Sequence, residues 1–143
     1  MELIKSRQEE IIEEFSVLEN EMEMTLDYIM ELGAELGEFS EKDRNENNIV
    51  KGCQSKVWMT AKLENGKVSL EADSNTAITK GLVSLLVRVF NQTRPEDIIN
   101  TEIYFPNQIG MDRFIGTQRS NGFGAMIKQI KLFALAFTAK EKS

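Results

Sequence analysis

Any thiol chemistry this chain performs must run through Cys53, the single cysteine, set in Lys51-Gly52-Cys53-Gln54-Ser55-Lys56-Val57-Trp58. There is no histidine. That excludes Cys-His and Ser-His catalysis and His-ligated zinc. One thiolate cannot hold an iron–sulfur cluster through a set of cysteines in one chain. Nor can one cysteine form an internal disulfide or a dithiol switch. The acidic residues lack the spacing of a calcium loop. No resident cofactor or metal is expected.

A lone thiol has two readings. The commoner one is a small buried hydrophobe. The other is a reagent, which needs exposure and a pKa below the ordinary thiol value. Cys53 is not inside an apolar run. It lies between a polar loop and an alternating segment, and Gly52 permits a tight turn beside it. Lys51 and Lys56 are near enough in sequence to favour thiolate. These features expect Cys53 at a loop tip, at the entrance of a hairpin.

The elements that would position it follow from periodicity. A short helix is expected over residues 7 to 18, with Ile11, Ile12, Phe15 and Leu18 on one face and Glu9, Glu10, Glu13 and Glu14 on a solvated one. Asn20 and Glu23 have capping-box spacing. A second helix would then run to about Leu36 through Leu26, Ile29, Met30 and Gly33, with Gly37 as its stop. Residues 40 to 49 are polar and aperiodic, hence a loop. Val57, Met59, Ala61 and Leu63 alternate with polar partners, and Val68, Leu70 and Ala72 do the same after Asn65-Gly66. An Asn-Gly between alternating runs signals a hairpin, because both central turn residues need positive φ. A third short strand is expected around Asn48 to Lys51, since three strands make a sheet independently stable.

Further on, Asp73-Ser74-Asn75-Thr76 is rich in helix caps, and Ile78, Leu82, Leu85, Leu86 and Val89 form an apolar stripe. Gly81 in that stripe costs about 1 kcal/mol relative to alanine, a cost that close packing of another backbone would explain. Pro95 suits a first helical turn. Residues 101 to 120 read as a connector with one short helix. Ser120 or Asn121 would cap a last helix carrying Met126, Ile130, Phe133 and Phe137, with Lys140 to Ser143 frayed. The expected fold class is α+β, a small antiparallel three-stranded sheet covered by helices, in one domain over residues 1–143.

Composition narrows function further. The formal charge is −6 with no basic tract, so nucleic acid is not an expected partner. No apolar run has membrane-spanning length, and the N-terminus turns acidic at once, unlike a signal peptide. A cytoplasmic, reducing compartment is expected.

The residues around Cys53 resemble the signature of the SufE family, sulfur acceptors of iron–sulfur cluster assembly. Lys51-Gly52-Cys53-Gln54-Ser55-Lys56-Val57-Trp58 is similar to its Gly-Cys-Gln-Ser-x-Val-Trp block. Ala72-Asp73-Ser74-Asn75, Lys80-Gly81-Leu82 and Arg119-Ser120-Asn121-Gly122-Phe123 follow in order, and Tyr28 to Gly33 resembles the family's early helix. Asn75, Phe123 and Thr117-Gln118 depart from its usual residues. The resemblance implies the α+β domain shared with IscU-type scaffolds. It implies that Cys53 accepts sulfur as a persulfide from a pyridoxal-phosphate cysteine desulfurase (SufS-like), stimulates it, and passes the sulfur to a cluster scaffold (SufBCD-like). It makes the protein an accessory of sulfur transfer more than an enzyme. Arg119 becomes a candidate to stabilise thiolate or hold a partner carboxylate. Lys51, Gly52, Gln54, Ser55, Lys56 and Asp73 become candidate partner contacts, though Asp73 reads more as a helix cap or loop anchor than as a catalytic acid. Two alternatives stay open: an interaction module in which Cys53 is structural, and a single-thiol redox sensor.

Overall fold

In a computed structural model, which describes residues 1–141, the apolar stripe after the hairpin becomes the axis of the molecule. This is α3 (Ala77–Phe90), and it is buried on most of its circumference, from Thr79 and Leu82 to Val89 and Phe90. An apolar face this wide needs cover from several directions, leaving Lys80, Ser84 and Arg88 as a polar stripe on the remaining side. β1 (Val57–Glu64) and β2 (Lys67–Ser74) pair antiparallel, with Val57 opposite Ser74 and Glu64 opposite Lys67. Asn65 and Gly66 both take positive φ, 54° and 78°, as the expected hairpin turn requires. The sheet's buried face carries Val57, Met59, Val68, Leu70 and Ala72 towards the core.

α2 (Met22–Ala34) covers α3 at a glycine crossing. A Cβ on Gly81 would lie 2.0 Å from the Ile29 carbonyl oxygen, and one on Gly33 would lie 2.6 Å from the Gly81 nitrogen. Backbone meets backbone there, which is the packing reason anticipated for Gly81. α1 (Glu2–Ser16) lies alongside, pinned by Arg7, whose guanidinium donates to the Val89 and Asn91 carbonyls at 3.1 and 2.7 Å. That places a cation at the negative end of α3. Buried Gln8 ties α1 to the connector, donating to the Glu102 carbonyl and accepting from the Tyr104 and Phe105 amides. α4 (Pro95–Asn100) and α5 (Phe105–Gln108) are short; α6 (Met111–Glu141) closes the fold.

The sheet corrects the expected architecture: among the described residues it has two strands, not three. Residues Glu46–Asn48 form a 3-10 turn capped by Asn45, whose Oδ1 accepts from the Asn47 amide. Only Ile49 and Val50 are then free to extend. They make one bridge to Trp58 and one bond from the Val50 amide to the Val57 carbonyl, 2.8 Å. Gly52, at φ 98°, turns the chain away before a strand can form. On the other edge, Val68 bridges to Thr93.

Helix ends differ in instructive ways. α1 begins a turn and a half earlier than periodicity suggests, because its buried stripe continues through Ile4 across the polar Gln8. α2 is capped by Glu21, whose carboxylate accepts from the Met24 amide at 2.9 Å, while Asn20 sits in the left-handed region at φ 62°. It ends at Ala34, before Gly37. Ser120 and Asn121 are not caps. α6 already runs through them, restarting at Gly116, whose φ of 81° and ψ of 170° kink it. Of the tail expected to fray, Lys142 and Ser143 lie outside the described residues, and α6 includes Lys140.

Candidate functional site

Cys53 sits on the loop that joins Val50 to β1, but it points inward rather than standing at an exposed tip. It is half-buried, and its Sγ lies 3.4 Å from the Gly122 carbonyl oxygen, in position to donate. Two features bring loop and helix together. Gly52 takes its positive φ with a virtual Cβ only 3.1 Å from the Ala125 Cβ, and Gly122 offers no side chain where the sulfur rests. Burial pushes the Cys53 thiol up from its ordinary value. A carbonyl accepts from S–H and repels S⁻, so the contact matches a protonated resting thiol. Lys51 and Lys56 do not offset the rise.

Beside the sulfur lies a cavity of about 90 Å³, walled by Cys53, Gln54, Ser55, Thr79, Leu82, Gln118, Arg119, Gly122 and Met126. A single water needs only about 10–15 Å³ on this measure, so there is room for an atom added to Sγ. The kink at Gly116 makes this wall possible, since it puts Gln118 and Arg119 in the first turn of the restarted helix. Among the described residues, Arg119 has neither an ion pair nor a hydrogen bond. It stands at the mouth as an unspent cation.

The loop's second half is held firmly. The Lys56 amide donates to Asn75 Oδ1 (3.0 Å), and its carbonyl accepts from Ser74 Oγ (2.8 Å) and the Asn75 amide (3.2 Å). Thr76 and Thr79 hydroxyls donate to Ser55 Oγ at 3.0 and 3.3 Å. The first half, Lys51 and Gly52, is exposed.

Of the residues singled out from sequence, the structure brings Cys53, Gln54, Ser55 and Arg119 into one cavity. Gly52 sets the turn. Lys51 faces a neighbouring groove of about 540 Å³ with Ile49, Lys128 and Leu132. Lys56 anchors the loop through its backbone, and its side chain is exposed. Asp73 lies elsewhere: it binds Arg44 Nε at 2.8 Å and faces Lys80 at 3.5 Å. Burial pushes its carboxyl up, but the hydrogen bonds from Arg44 and Ser74 and the nearby positive charges outweigh it and hold the carboxyl below its ordinary value. It secures the segment around Phe39 and Arg44. Sequence reasoning missed Thr79, Leu82 and Met126 as cavity walls, because an apolar stripe does not say which members face a void. It also missed Gly122 as the sulfur's neighbour; a glycine inside a helical run was the available signal.

Among the described residues, no group of three His, Cys, Asp or Glu side chains is placed to hold a metal ion, and no helix is long and apolar enough to cross a membrane. Residues 9–134 match the family model described as SufE, Fe-S metabolism associated domain. Among solved structures, the chain is similar to the solution structure of a hypothetical protein from Thermus thermophilus. That match has a TM-score of 0.74 at 20% identity, over 91% of this chain and 94% of the other, a likeness of fold.

Proposed function

The chain belongs to the SufE family, accessory proteins that work with a desulfurase and scaffold system in sulfur transfer for iron–sulfur metabolism, and on that premise we propose that Cys53 is the sulfur acceptor and carrier. The observation that supports this reading is the cavity beside a half-buried Cys53 Sγ, with unpaired Arg119 at its mouth. In the proposed step, the Cys53 thiolate attacks the outer sulfur of the desulfurase persulfide. A bond forms from Sγ to that sulfur, and the desulfurase's S–S bond breaks. The electron pair leaves on the desulfurase cysteine as thiolate, so no outside oxidant or reductant is needed. The transferred sulfur keeps its proton and then loses it to solvent.

The donor in this reading is a SufS-like desulfurase and the recipient a SufBCD-like scaffold, in a cytoplasmic compartment. A half-buried, protonated thiol resists oxidation and dimerisation. Docking of the desulfurase must therefore draw Cys53 out, with Gly52 and the exposed first half of the loop as the part able to move. Lys51, Gln54 and the Arg119 guanidinium are the partner contacts nearest that movement.

Incubation with desulfurase and cysteine, read by intact mass, tests the reading. A gain of about 32 Da that maps to Cys53 and is absent in Cys53→Ser is the expected result. Normal stimulation of the desulfurase by Cys53→Ser, with no adduct on the native chain, would make the protein an activating module instead. Alkylation of Cys53 should also quicken when the desulfurase is added; equal rates would sink the sheltering.

A further inference from the structure

Ser55 carries an unspent proton into the sulfur cavity. Its Oγ accepts from both Thr76 and Thr79. A serine hydroxyl has two lone pairs and one proton, so the two threonines occupy its acceptor capacity. Among the described residues nothing accepts from Ser55 Oγ, and the residue lines the same cavity as Cys53. Ser55 is not bonded to Sγ, which donates instead to the Gly122 carbonyl. The hydroxyl is therefore unused by the free thiol.

Its use appears once a second sulfur is present. A persulfide is more acidic than its parent thiol, so the outer sulfur entering the cavity carries negative charge and needs donors. The Gly122 carbonyl cannot help, since it only accepts. We infer that Ser55 is the fixed hydrogen-bond donor to the outer sulfur of a Cys53 persulfide, with Thr76 and Thr79 holding its proton turned towards the cavity. Ser55 is thus a binding residue for the cargo, and the two threonines are positioning residues. This rests on the carrier reading above.

The test loads Cys53 without a desulfurase, so that failure here is separable from failure of that reading. Hydrogen disulfide ion converts the Cys53 thiolate to the persulfide anion and releases hydrosulfide, a balanced exchange. The persulfide's near-ultraviolet absorbance is then titrated with pH, and the free thiol is titrated separately by its alkylation rate. Ser55→Ala should raise the persulfide's apparent pKa by about one unit, a tenfold fall in the ratio of ionised to protonated form at a given pH. It should leave the free-thiol profile within about 0.3 unit of native. Loosening of the loop would move both profiles together. Equal shifts in both, or no shift in the persulfide, overturns the assignment. If Ser55→Ala does not fold, the near-isosteric pair Ser55→Thr and Ser55→Val decides it: threonine should keep the native persulfide pKa and valine should raise it, and no difference between them overturns it.

Discussion

Two glycine contacts hold this molecule together, and they are built to opposite specifications. At the α2–α3 crossing, Gly33 and Gly81 bring two backbones together with no space left: an added Cβ would fall 2.0 Å from the Ile29 oxygen. At the loop–α6 contact, Gly122 leaves ordinary van der Waals room, with an added Cβ 3.4 Å from Cys53 Sγ, and a cavity of about 90 Å³ opens alongside. The first contact involves the most deeply buried helix, the second a loop with one exposed half. Close-packed interiors transmit strain and resist movement, whereas sparsely packed loops open at low cost. The rigid crossing is the platform, and the under-filled contact is where the proposed carrier role needs an atom to be added and removed.

The comparison breaks if the crossing tolerates bulk. Gly81→Ala should cost roughly 3 kcal/mol by overpacking, reduced by up to about 1 kcal/mol from better helix propensity. The obstacle is a backbone oxygen, which cannot rotate aside. Urea unfolding would read the loss, and an unchanged midpoint would mean that α2 and α3 are not locked.

A smaller effect is expected at Asp73. Arg44 and Lys80 face its carboxylate, and its folded pKa lies below the ordinary value. A depressed carboxylate pKa gives stability that is present above the unfolded value of about 4. That stability is lost as pH falls through the folded value. Asp73→Asn should therefore lower the urea midpoint at pH 7, and the gap from native should close towards pH 2–3. A gap that stays constant with pH would remove the ion pairs from the explanation.

How much of this was legible in the sequence depended on range. The hairpin was, because Asn65-Gly66 and the flanking alternation are local. So was the α3 stripe, and so was Gly81's packing role, since a glycine within a buried stripe asks for a close neighbour. The third strand failed because four residues of apparent extension cannot reveal a 3-10 turn on one side and a left-handed glycine on the other. The kink at Gly116 was hidden for the same reason. Within the site, the motif located Cys53 but not its direction. Its inward turn depends on Gly122, 69 residues away, and its loop is held by Ser74, Asn75, Thr76 and Thr79, 18 to 24 residues from their partners. Such contacts exist only once α6 and α3 are packed.

The smallest change in stability should come from Gly122→Ala, and it separates the two glycine contacts most sharply. The new methyl would meet Sγ at 3.4 Å, the Cys53 Cα at 3.6 Å and its Cβ at 3.7 Å, all ordinary contacts. Alanine favours the helix over glycine by up to about 1 kcal/mol. Stability should thus hold or rise slightly, by roughly 0.5 kcal/mol after minor crowding. Yet the methyl takes space beside the sulfur, where the cavity is only about 90 Å³. Retention of a persulfide should fall even as the fold grows firmer. Measured together, the urea midpoint and the fraction of chains keeping the sulfur adduct should move in opposite directions. A falling midpoint would make the loop–helix contact as tightly specified as the α2–α3 crossing, and unchanged retention would leave the empty volume beside Cys53 with no part in carrying sulfur.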